Sequence, residues 1–231
     1  EITVRGRKIL FVRDQIQGFY ANSTIASGAG GLKVSAVFSK KNFNLICAFL
    51  KKKLSAASVR YDSVLFVYKY HILGLELEKM VDASYAQQKV GLPYQILQPD
   101  SGIHYLLHDW WKTNQKHIVV VCGNEVGDVL LEALIHFYKL GTKETVFTNE
   151  YSLTHENLEV LQTMHGSADS IAGRNSVNPV ATMKAGAYAA EKWLAVPGAI
   201  KKMDLLIGKA AAAGHTSRDE GGKKNTDEIV V

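Results

Sequence analysis

Short apolar runs alternate along this chain with longer stretches in which apolar side chains recur every three or four positions. Lys8 to Val12 (KILFV), Ser63 to Tyr68 (SVLFVY) and Ile118 to Cys122 (IVVVC) are brief and nearly continuous in their apolarity, the pattern of buried strands. Phe43, Ile46, Cys47, Leu50 and Leu54 fall on one face at helical spacing and predict an amphipathic helix over 41–55. Ile103, Leu106, Leu107 and Trp110 predict a second helix leading into the strand at Ile118. A third runs from Val126 to Leu140, with Gly141 as its stop. A strand near 145–148 follows. A helix is then expected from Thr154, with Thr154 as N-cap and Asn157-Leu158 opening its apolar face. A further helix covers 181–194, limited by Pro197. Gly91-Leu92-Pro93 punctuates a loop, and Ser27-Gly28-Ala29-Gly30-Gly31 marks a flexible glycine-rich insertion over about 27–33.

Strands alternating with helices predict an α/β fold of three layers, α/β/α, around a central, mostly parallel sheet. Functional residues in such sheets gather at the carboxyl ends of the strands. Asp14, Tyr70 and the turn at Gly123 fall there. One domain is expected over 1–207. From Gly208 the sequence turns small and polar, so 208–231 is expected as a flexible polar tail.

Composition narrows the classes. With 231 residues and 47% hydrophobic residues, the chain can bury a substantial core and is not a disordered protein. A net charge of +5 is compatible with a nucleic-acid surface without requiring one. The Lys/Arg groups are short and read as solvated faces or helix ends. No apolar stretch approaches the ~20 residues of a membrane span. Cys47 and Cys122 sit in apolar patterns and read as reduced core residues.

The turn at Gly123 is built like a platform for a nucleophile. A strand, a tight turn and a helix start leave unpaired backbone N–H groups that stabilise an anion. Its residues are Asn124, Glu125, Val126, Gly127, Asp128 and Val129, with no Cys or Ser among them. Cys122 lies one step too early, inside the strand, where packing is its reading. Glu125 and Asp128 read as caps or dipole partners. His104 and His108 are one helical turn apart and could form a two-ligand face, but lack the Glu of the metalloprotease pattern. His71 stands alone.

These strand ends resemble those of the isochorismatase-like cysteine hydrolases, a Rossmann-like family. Ile9 to Asp14 with Phe19 five residues on resembles the family's first strand and its Asp-x-Gln-x-x-Phe signature. Lys69-Tyr70-His71 and Leu73-Gly74-Leu75 resemble the loop after the second strand, closest to a branch found in mitochondria. Val119 to Glu125 resembles the strand and turn before the nucleophile. The resemblance spans roughly 8–202 and implies a catalytic Asp, Lys and Cys. Asp14 matches the Asp. Gln98 stands at the Lys position and Val129 at the Cys position. Val has no lone pair to attack with, and Gln cannot carry the charge of a Lys.

The resemblance therefore implies a catalytically inactive member, needing no cofactor and no metal. It would be kept as a structural subunit among other protein subunits of a large mitochondrial matrix assembly, such as a divergent ribosome or ATP synthase. The alternative is an active hydrolase of the same family with a rearranged site. A module binding a ligand or RNA through the emptied pocket is the third reading.

Overall fold

The structure is a computed structural model that describes the chain except residues 20, 22, 23, 29, 154, 156, 157, 165–167 and 231. The chain forms two compact units, Glu1–Tyr138 and Lys139–Val231.

In the first unit the elements in order are β1 (Ile2–Val4), β2 (Arg7–Asp14), β3 (Thr24–Gly28), β4 (Gly31–Ser35), α1 (Lys40–Ser55), β5 (Ser63–Val67), α2 (Tyr70–Gln88), β6 (Tyr94–Leu97), α3 (Pro99–His104), β7 (His117–Gly123) and α4 (Asn124–Tyr138). A π-helical turn (Tyr105–Asp109) and a 3-10 turn (Trp110–Lys112) continue α3. The sheet runs β1-β2-β7-β5-β6. β2, β7, β5 and β6 are mutually parallel, and β1 is an antiparallel edge. The α/β fold expected from the sequence is thus present, with a central, mostly parallel sheet and flanking helices.

Alternation along β7 explains the layers. Val119 and Val121 face a core that includes Phe43, Ile46, Cys47 and Leu50 of α1 and Leu77, Val81 and Tyr85 of α2. Ile118, Val120 and Cys122 face the opposite core, with Leu106, Trp110, Val126, Leu130 and Leu134. Successive strand side chains point to opposite faces, so one apolar run feeds both cores. Each buried Val, Leu or Phe contributes about 1.5–3 kcal/mol of transfer free energy.

α1 matches the expected span. Its cap is Ser39, whose side chain accepts from the Asn42 N–H at 3.2 Å. α4 starts two residues earlier than expected and ends at Tyr138, where Lys139 takes a left-handed conformation (φ 53°) ahead of Gly141. Of the expected glycine-rich insertion, Ser27 and Gly28 end β3 and 31–33 open β4, which pair antiparallel, while Ala29 lies outside the described residues. β1, α2 and β6 were not expected.

The second unit contains the hairpin β8 (Phe147–Tyr151) and β9 (Glu159–Thr163), then α5 (Val180–Trp193), α6 (Ala199–Ala212) and α7 (Thr226–Val230). The helix expected from Thr154 is instead the strand β9, paired in antiparallel register with β8. Thr154 and Asn157 lie outside the described residues. The boundary expected at 207 falls inside α6. Ala210–Ala212 prolong that helix, as the strongest helix formers do. Beyond it the expected tail folds back: the Thr226 N–H donates to the Asn175 carbonyl (2.9 Å) and the Thr226 hydroxyl to that of Val177 (2.6 Å).

Candidate functional site at the strand ends

β5 leads into α2 on one face of the sheet, while its neighbour β7 leads into α4 on the other. Adjacent strands whose connections diverge leave a crevice beyond their carboxyl ends, where open α/β sheets bind ligands. The residues delivered there are Arg13 and Asp14 from β2, Tyr68 and Lys69 after β5, and the start of α4 after Gly123. Asp14 lies opposite Gly123 in the register.

Asp14 is buried, with 3% of its surface exposed. The Gln17 side-chain amide donates to it at 2.8 Å, the Tyr68 hydroxyl at 2.9 Å and the Ile16 N–H at 3.1 Å. Gln17 in turn accepts from the Ser39 N–H at 3.0 Å. Asp14 therefore ties the loop after β2 to the start of α1. Burial pushes its carboxyl above the usual range, and the hydrogen bonds from Gln17 and Tyr68 oppose that rise. Burial, with the Asp14 charge beside it, holds the Tyr68 hydroxyl well above its ordinary value, so it is a donor.

α4 brings a second carboxyl beside this network. Both oxygens of Glu125 are buried, and neither has a hydrogen-bond partner. Burial raises its carboxyl, helped by the charge of Asp14 and opposed by its own backbone N–H. About one turn along the helix, Asp128 pairs with Arg13. Gly127 makes room for this pair: a Cβ there would lie 2.7 Å from both Cγ and Cδ of Arg13. The Arg13 side chain is 28% exposed, so its guanidinium is oriented yet open to solvent.

Lys69 is presented by a tight turn. Its φ of −71° and ψ of 64°, with the Tyr70 N–H bonded to the Tyr68 carbonyl at 2.7 Å, form an inverse γ-turn. The turn buries Tyr68 and leaves Lys69 exposed at the end of the strand next to β7. Two cations, Arg13 and Lys69, thus flank the end of β7 on strands to either side. Such an arrangement can hold a small polyanion, with Arg matching a carboxylate bidentately and Lys acting as a point charge.

The other expected residues do not join this site. Gln98 caps the start of α3, and its side-chain oxygen is buried without a partner. Val129 lies on the outer side of α4, 62% exposed. Cys122 is fully buried, and burial pushes its thiol far up, as expected for a packing residue; Cys47 is also buried and free, its thiol pushed up to about 12 by burial. Tyr70 opens α2 and donates to Glu78 at 3.0 Å. The His104 and His108 rings lie 5.1 Å apart, and His104 approaches Asp109 at 3.4 Å. Among the described residues no group of three or more such side chains could hold a metal ion. The sequence pattern points to Asp14 and the Gly123 turn but gives Arg13 and Tyr68 no role, and Lys69 none beyond its place in the Lys69-Tyr70-His71 resemblance. Their position at or just after the ends of two buried apolar runs is the signal the sequence offers.

A family model, isocitrate/isopropylmalate dehydrogenase, matches residues 1–230. The 3-isopropylmalate dehydrogenase of Staphylococcus aureus is 26% identical over 99% of this chain and 63% of its own length. The chain thus spans under two thirds of that relative. The crystal structure of isocitrate dehydrogenase from Methylococcus capsulatus aligns with a TM-score of 0.74 and 20% identity, over 99% of this chain and 68% of that one. A beta-decarboxylating dehydrogenase from Thermococcus kodakarensis aligns at 0.59 and 20%, over 90% and 58%. These solved structures establish the likeness of fold. The matches overturn the expected isochorismatase-like identity, and with it both the inactive structural subunit and the rearranged hydrolase. The relatives carry the names of dehydrogenases, against the expectation of a non-enzyme. Gln98 and Val129 lose their meaning as vacated Lys and Cys positions, because the family that defined those positions is not this one. An apolar strand ending in Asp and a strand–Gly–helix turn are features of Rossmann-like sheets at large, and they carried the mistaken identification. The chain belongs to the isocitrate/isopropylmalate dehydrogenase family.

Proposed function

We propose that this chain forms the acid-binding part of a dehydrogenase that oxidises the secondary alcohol of a hydroxy-polycarboxylic acid. Family membership and the names of the relatives support the reaction class. The observation that carries the reading is the pair of solvent-open cations, Arg13 and Lys69, on the strands to either side of β7 at the sheet's switch point.

Isopropylmalate and isocitrate each carry a hydroxyl group and two or more carboxylates. Arg13, already oriented by Asp128 and by the space at Gly127, grips one carboxylate. Lys69 supplies positive charge on the opposite side of β7. Oxidation moves a hydride from the carbinol carbon to an acceptor and releases the hydroxyl proton. If a carboxylate lies β to the new ketone, loss of carbon dioxide leaves an electron pair delocalised onto the ketone oxygen, where a nearby ammonium stabilises the charge. Among the described residues, the glycines of 28–31 belong to the β3–β4 hairpin rather than to a strand-to-helix turn. They do not fit a dinucleotide cradle, and no step is assigned to residues that would hold the acceptor.

The test is turnover of isocitrate and of 3-isopropylmalate with nicotinamide dinucleotides, followed by absorbance of the reduced nicotinamide. Turnover of either acid, with KM raised roughly 10–100-fold in Arg13→Ala, is expected. No turnover and no binding of either acid would overturn the reading.

A further inference from the structure

The buried carboxyl of Glu125 has no part in the function just proposed, yet it sits where the loop after β2 meets the start of α4. A Cβ on Gly18 would lie 3.3 Å from its Oε2, and a Cβ on Gly123 would lie 2.9 Å from its Oε1. Gly18 has a positive φ of 92°, and the same Cβ would also lie 3.4 Å from the Phe38 ring. Glu125 is therefore wedged under the loop that carries Gln17, the residue linking Asp14 to Ser39.

The two carboxyls are unequal. Asp14 receives donors from Tyr68, Gln17 and Ile16, which suits a charged carboxylate. Glu125 meets only its own backbone N–H, too poorly placed to make a regular hydrogen bond, which suits a neutral acid, because a buried carboxylate with so little compensation is strongly disfavoured. The titratable and charged groups acting on this spot are Asp14 of β2, Tyr68 after β5, Cys122 of β7, and the Arg13–Asp128 pair. Arg13 is the single cation among them, and Asp128 already pairs with it.

We propose that Glu125 is a positioning residue: Asp14 and Glu125 together hold one proton, and that proton keeps the 15–19 loop seated on the start of α4. Loss of the proton leaves a poorly compensated buried charge on Glu125, on which the Asp14 charge also acts. The loop then lifts, and the α4 start bearing Asp128 shifts with it. Substrate affinity follows only through the Arg13–Asp128 pair and rests on the function proposed above. The loop movement itself does not.

The test is hydrogen–deuterium exchange of the 15–19 segment between pH 5 and 9, corrected for intrinsic exchange, in the wild-type chain and in Glu125→Gln, with the Glu125 carboxyl followed by carbon-13 NMR. The wild type is expected to lose roughly tenfold or more in protection as pH rises above the ordinary glutamate range. The NMR titration should fall in the same window, and Glu125→Gln should keep its protection throughout. Equal, pH-independent protection in both proteins, or a Glu125 carboxyl titrating at its ordinary value, would overturn the proposal. If the amide variant folds poorly, the wild-type titration and exchange profile decide alone.

Discussion

A buried carboxylate is tolerated only as far as its hydrogen bonds replace water, and Asp14 shows how few donors that takes. Tyr68→Phe removes one of them and leaves the ring packing on Phe43 and Phe38 intact. The expected cost at neutral pH is about 1–3 kcal/mol, read from urea unfolding. The sign of its pH dependence follows from the raised Asp14 carboxyl. A group raised on folding favours the folded state below its unfolded value, 3.8, and that contribution is lost as pH rises through the folded value. Losing a donor raises the folded value further, so the deficit of Tyr68→Phe should be largest at neutral pH and shrink in acid. At the same scale, Lys69→Ala should weaken binding of a hydroxy-dicarboxylate about tenfold or more with little change in stability, since Lys69 is exposed.

Elements position these residues, and their capping and packing are separately testable. Ser39→Ala removes the side-chain acceptor at the start of α1 and should cost about 1 kcal/mol. Gly127→Ala places a Cβ against the Arg13 stem; the side chain must swing away from Asp128. Acid binding is expected to fall severalfold while the unfolding midpoint moves little. The sequence made the long elements legible wherever one periodicity dominated. Ile118–Cys122 is apolar at every position because both of its faces are buried. α2 was missed because Gly74 breaks it with a non-helical φ of 61°, interrupting the period. Thr154 as an N-cap and Asn157-Leu158 as the opening of an apolar face predict a helix where β9 stands, because its true partner, β8, lends β9 its pairing only through tertiary contact. The three-residue strand β1 is too short to show a period.

On the scale of the whole molecule, the sequence revealed the layered fold but not the family. Sheet layers follow from apolar runs, which any α/β protein of this class must have. Family identity rests on which polar side chains stand at the strand ends, and there Asp14 drew attention away from its neighbour Arg13. The charge at that end of the sheet fits an acidic substrate: Arg13, paired with Asp128, is solvent-open and Lys69 is exposed, while Asp14 is buried. Among the described residues no helix is long and apolar enough to cross a membrane. The central claim is that these two cations bind a hydroxy-polycarboxylic acid. Calorimetric titration of the chain with isocitrate and with 3-isopropylmalate tests it most directly, beside Arg13→Ala and Lys69→Ala. Saturable binding of at least one acid, weakened about tenfold or more by each substitution, is the result predicted. Absence of saturable binding for both acids, or an affinity unchanged by either substitution, would contradict it.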